Sequence, residues 1–104
     1  MKRDELLLWL NDRLGKSVHV SVVVERDDLD VTVLETDGKL RFWRQDIHAP
    51  VHLAREDLSG CYQVGIATID VGHLGRARAR KHPDLPQVDL DLADGVRLVI
   101  VERV

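Results

Sequence analysis

Val18, Val20, Val22 and Val24 recur at every second position of SVHVSVVVE, and this period constrains the chain more than any other feature. Side chains alternate between the faces of a β-strand, so a period of two lays all four valines on one face. A helix would scatter them around its axis. After a polar turn at residues 26–28, LDVTVLE repeats the alternation through Leu29, Val31 and Val33. Asp37-Gly38 then has the composition of a two-residue hairpin turn, and KLRFWR follows with Leu40 and Phe42 as its inward pair. Pairing Thr36 with Lys39 sets Phe42 beside Val33, so that both hairpins bury one common face. The opposite face carries His19, Ser21, Val23, Thr32, Leu34, Arg41 and Trp43. That mixture predicts a partly covered second face, on which Trp43 is the residue suited to anchoring a partner.

The flanks complete the outline. Leu6, Leu7, Leu10 and Leu14 fall on one stripe at helical spacing, with Asp4 and Glu5 at the start and Gly15 at the end. Leu8 points away from this stripe and Trp9 lies at its edge, which marks a second contact surface. Residues 45–60 have no clear period and include Pro50; they read as a loop, with a helical turn at 55–58 as its one candidate element. CYQVGIATIDV reads as a single strand, apolar on both faces and therefore central. QVDLDLADGVRLVIVERV closes the chain as a hairpin. A three-residue loop of Ala93, Asp94 and Gly95 sets Leu92 against Val96, Leu90 against Leu98, Val88 against Ile100, and Asp91 against Arg97. Val99 and Val101 then lie on the back of the last strand, covered by the N-terminal helix or used in self-association.

The expected fold is α+β. One domain of 104 residues packs an N-terminal helix on a mainly antiparallel six-stranded meander sheet or small barrel. In its order of elements, helix then meander, the chain resembles Sm-like and other small SH3-like barrels, with the closing hairpin as an extra. The resemblance is one of pattern and brings no nucleotide-binding signature residues with it.

Charge and cysteine content narrow the function classes. A net charge of −3 gives the whole molecule no generic attraction to nucleic acid or anionic lipid. A single cysteine, Cys61, forbids a disulfide within the chain. The apolar run from Leu6 to Leu10 is too short for a signal-peptide core, and no run approaches the ~20 apolar residues of a membrane span. A cytoplasmic location is expected. One stretch departs from the acidic balance: residues 72–82, GHLGRARARKH, hold Arg76, Arg78, Arg80 and Lys81 and no acid. The flanks favour a short helix over residues 74–81, capped by Asp70 and stopped by Pro83, over an extended segment whose period of two would set Arg76, Arg78 and Arg80 on one side and Ala77 and Ala79 on the other. Asp84, Asp89, Asp91 and Asp94 follow directly and are placed to neutralise it. The alternatives are a salt-sensitive contact with phosphate or with an acidic protein partner.

Signals for catalysis are sparse. His48 and His52 have HxxxH spacing, but Pro50 between them spoils the helix that would align their rings. His73, with Asp70 or Cys61, completes a ligand set only if the fold gathers them. Cys61 has no neighbouring base, Ser59 lacks a nucleophile-elbow setting, and no phosphate loop or dinucleotide fingerprint is present. RDDLD lacks the glycine and glutamate spacing of a calcium loop and reads as a solvated turn. No cofactor is expected. The leading expectation is a non-catalytic, self-associating interaction module that uses Leu8, Trp9, Trp43, Val99 and Val101. A nucleic-acid-binding small barrel using Arg76, Arg78, Arg80 and Lys81 is the alternative. A metal-dependent enzyme using His48, His52 and His73 is the second. A small-ligand sensor, with its pocket beneath residues 45–60, is a fourth class without residue-level support.

Overall fold

The computed structural model describes residues 2–42, 61–71 and 78–103. They form helix α1 (Arg3–Asn11) and strands β1 (Ser17–Arg26), β2 (Leu29–Lys39), β3 (Arg41–Phe42), β4 (Cys61–Val64), β5 (Ala67–Asp70), β6 (Arg78–Lys81), β7 (Gln87–Ala93) and β8 (Val96–Glu102). The fold is α+β with antiparallel sheets. Its strands divide into a five-stranded sheet, ordered β2-β1-β8-β7-β6, and a three-stranded sheet, ordered β3-β4-β5. This replaces the expected single six-stranded meander. The loop expected at residues 45–60, its helical turn at 55–58, and Trp43 lie outside the described residues.

The core is built from the periodicities of the sequence. α1 contributes Leu6, Trp9 and Leu10, which are buried, and turns Leu8 to the opposite side, as its spacing requires. β1 contributes Val18 and Val20. Across from them lie Leu98 and Ile100 of β8, Val88 and Leu90 of β7, and Ala79 of β6. Leu40, Tyr62, Val64, Ile69 and Val71 close the same cluster from the three-stranded side. Fully burying one such aliphatic or aromatic side chain contributes roughly 1.5–3 kcal/mol.

Two elements follow the sequence reading closely. In the β7–β8 hairpin, Val88 faces Ile100, Leu90 faces Leu98 and Asp91 faces Arg97, as expected. The turn is tighter than expected: Ala93 pairs with Val96, Asp94-Gly95 forms the link, and Leu92 is absorbed in a bulge instead of facing Val96. Gly95 takes the left-handed position, at φ +74°. In the β1–β2 hairpin, Asp27 and Asp28 both have positive φ, the geometry of a type I′ turn, so RDDLD is a solvated turn.

Four expectations are corrected. Asp37-Gly38 is not a turn. β2 runs straight through it, with Asp37 opposite His19 and Gly38 opposite Val18. The glycine is needed because a second backbone crosses there: a β-carbon on Gly38 would lie 2.7 Å from the Gly65 nitrogen. The chain changes sheet only after Lys39. Leu40 is pinned by two bonds, its N–H to the Lys16 carbonyl (3.0 Å) and its carbonyl to the Gly15 N–H (2.7 Å). Phe42 therefore lies opposite Tyr62 of β4, its ring stacked 5.5 Å away, and not beside Val33.

The second correction concerns β2. Val22 pairs with Leu34 and Val23 with Thr32, so Val33 is an extra residue in a β-bulge. The extra residue breaks the period of two. Leu29, Val31 and Val33 are exposed at 68%, 49% and 58%, where they were expected to be core. Burial along β1 fades in step, from Val20, fully buried, to Arg26, exposed, so the hairpin tip runs beyond the layer that covers the sheet.

Third, CYQVGIATIDV is a hairpin and not one strand. Val64 pairs with Ala67, and Gly65, at φ +54°, makes the turn. Fourth, the expected helix over 74–81 is replaced at 78–81 by a strand, β6. Its period of two sets Arg78 opposite Asp91 and Arg80 opposite Asp89, while Ala79 is buried opposite Leu90. Backbone pairing, opposite charges across the ladder and an apolar contact together outweigh the helical preference of Ala and Arg, which is worth only tenths of a kcal/mol, ~0.7 at most, per residue. Pro83 lies two positions beyond the strand, and the His82 ring Nδ1 accepts the N–H groups of Asp84 and Leu85, both at 3.2 Å.

Candidate interaction surface

The two faces of the five-stranded sheet differ sharply in chemistry. The face away from the core carries cross-strand ion pairs. His19 reaches Asp37 through Nδ1 (2.7 Å) and Glu35 through Nε2 (3.2 Å), and Arg103 also approaches Asp37 (3.5 Å). Arg97 bonds Asp30 (3.0 Å), Arg80 bonds Asp91 (3.1 Å), and the Gln87 amide bonds Asp89 (2.8 Å). Exposed pairs of this kind contribute ~0–1 kcal/mol each, so they mark a hydrated face and do little to hold the fold.

Val99 and Val101 lie on this hydrated face, half-buried, opposite Ser21 and His19 respectively. α1 packs with the core cluster on the other face, so it does not cover them. Leu8 is 64% exposed on the outer side of α1. Trp9 is a core residue, 5% exposed, with the Arg13 guanidinium 3.9 Å above its ring centroid. Arg13 is fixed there by a bond to the Trp9 carbonyl (2.9 Å) and by Glu102 (3.4 Å). The structure therefore separates the residues that the sequence grouped: Leu8 is exposed, Trp9 is interior, and Val99 and Val101 occupy a different face. Arg78, Arg80 and Lys81 are exposed on β6, with Arg80 engaged by Asp91. Arg76, His48, His52 and His73 lie outside the described residues.

Sequence reasoning missed a surface that, among the described residues, carries four exposed large hydrophobic side chains on one strand, β2. Among the described residues this eleven-residue strand pairs with β1 on one edge and with no strand on the other. Such an edge presents alternate backbone N–H and C=O groups outward. Leu29, Val31, Val33 and Leu34 stand exposed along its first half. The second half is held by the β4–β5 turn, where the Ile66 N–H donates to Thr36 Oγ1 (3.3 Å). Ile66, 79% exposed, extends the apolar row past that crossing. Two signals could have revealed the surface. Val33-Leu34 places two apolar residues side by side and so breaks the alternation. Val22, Val23 and Val24 do the same on the partner strand.

Chemistry at the remaining polar groups is limited. Burial pushes the Cys61 thiol above its ordinary value, and Asp70, opposite it across β4–β5, adds to this through its charge and a hydrogen bond. A thiol held protonated is a poor nucleophile. No group of three or more His, Cys, Asp and Glu side chains among the described residues is arranged to hold a metal ion. No helix among them is long and apolar enough to cross a membrane. Comparison with protein-family models, with curated proteins and with solved structures finds no match to this chain.

Proposed function

We propose that the chain is a non-catalytic interaction module of the cytoplasm that associates with further copies of itself through the open edge of β2. One observation carries this reading: a long edge strand whose outward half is apolar. Natural proteins usually blunt such an edge with charge, proline or a cover. Here Leu29, Val31, Val33 and Leu34 are exposed, and the one charge among residues 29–34, Asp30, is paired with Arg97 of β8. Backbone pairing supplies the bonds of such an interface, and the row of alkyl side chains supplies the apolar contact.

A second copy is the partner that fits, because it supplies the same unpaired edge, and self-complementary contacts close most readily into two-fold dimers. A nucleic-acid role through Arg78, Arg80 and Lys81 is the weaker reading, since Asp89 and Asp91 face the two arginines across β7. Multi-angle light scattering over a wide range of concentration tests the proposal. The wild-type mass is expected to rise with concentration, and Val31→Lys with Val33→Lys is expected to hold the chain at monomer mass. A wild-type chain that stays monomeric throughout would refute it.

A further inference from the structure

A cleft of about 590 Å³ lies where the exit of α1 meets the β2–β3 junction. Its size is in the range of pockets that take small molecules, ~300–1,000 Å³. Leu14 supplies part-exposed apolar surface, and Phe42 adds an aromatic wall that is half exposed; Leu40 lines the floor from within the core. Lys39, Arg41 and Gln63 supply the polar lining. Among the described residues no carboxylate contributes to it. Two cations on an apolar cleft, in a chain with a net charge of −3, form a local reversal of charge.

The parts are held in place by the fold and not by a ligand. Arg41 is fixed opposite Gln63 by the β3–β4 ladder, and Phe42 is stacked on the buried Tyr62. The Gly15–Leu40 and Leu40–Lys16 backbone bonds clamp the helix exit to the junction. The backbone is preorganised, and the exposed cationic side chains of Lys39 and Arg41 extend from it beside the apolar wall. We infer that this cleft binds a small organic acid, whose apolar body lies against Leu14 and Phe42 and whose carboxylate is held between Lys39 and Arg41. The site lies away from the exposed apolar half of β2 and stands whether or not the chain self-associates.

Titration with 4-phenylbutyrate, followed by ¹H–¹⁵N correlation spectra, tests this directly, with 4-phenylbutanol as the neutral control. The acid is expected to shift the amides of Leu14, Gly15, Leu40 and Phe42 saturably. Charge-assisted bonds to the carboxylate are expected to make the alcohol at least ~10-fold weaker. Lys39→Gln with Arg41→Gln is expected to weaken the acid by a similar factor and to leave the alcohol unchanged. Phe42→Ala is expected to weaken both, and the spectrum of each variant reports whether it is folded. Equal binding of acid and alcohol, full affinity in the folded double variant, or no localised shift up to about 10 mM acid, the millimolar limit of a useful small-ligand site, would overturn the inference.

Discussion

A β-carbon placed on Gly65 would lie 2.1 Å from Thr36 Oγ1 and 2.8 Å from the Asp37 carbonyl, at a backbone φ of +54°. No side-chain movement relieves the contact with the carbonyl. Gly65→Ala is therefore expected to cost at least ~2 kcal/mol, from left-handed strain together with separation of the crossing backbones. Urea unfolding measures this, and an unchanged midpoint would show that the crossing is loose. A second residue-scale test concerns Cys61. Asp70 disfavours the thiolate, so Asp70→Asn should speed Cys61 alkylation at mildly alkaline pH; equal rates would remove Asp70 from the account. Single residues were only partly legible in sequence. Asp37-Gly38 reads as a turn until the opposing backbone at Gly65 is known. Trp9 sat at the edge of a helical stripe, and only the position of Arg13 and Glu102 shows that this edge is covered.

Agreement of side-chain period with turn chemistry was not sufficient by itself: it held at the β7–β8 turn, but it held equally at Asp37-Gly38, where β2 runs straight through. β7 and β8 satisfy both, and their register came out one bulge away from the reading. β2 satisfies the period only locally, because Val33 is inserted without a partner. The bulge sets Leu34 in place of Val33 opposite Val22, while Val31 remains opposite Val24 and is exposed because the hairpin tip lies beyond the core, so counting valines could not locate the boundary. β6 was obscured for another reason. Its acidic partners, Asp89 and Asp91, were visible in the sequence, but the helix propensity of Ala and Arg, with the flanking cap and stop, outweighed them in the reading. The outward position of the β2 side chains has a direct consequence for stability. Val31→Lys and Val33→Lys remove no core contact and are each expected to change the unfolding free energy of the isolated chain by no more than ~0.5 kcal/mol. Chemical denaturation at high dilution checks this, and a loss of several kcal/mol would place these side chains in the core after all.

At the scale of the whole molecule, the helix and the three-stranded sheet cover one part of the five-stranded sheet, and the β1–β2 hairpin extends past them. The longest dimension, 48 Å against 28 and 25 Å, reflects that extension. The expectation of a self-associating module was drawn from Leu8, Trp9, Trp43, Val99 and Val101, yet the structure moves the argument to β2. That some apolar strand residues are exposed was readable from sequence, because the strands hold more of them than the core buries. The location was not, because it depends on which strand ends the sheet. The central claim is that β2 is the joining edge, and amide hydrogen exchange at two protein concentrations tests it most directly. The account predicts that alternate amides of β2 gain protection as concentration rises while those of β6, β7 and β8 do not change. Exchange in β2 that is independent of concentration, or protection that appears on another element, would contradict it.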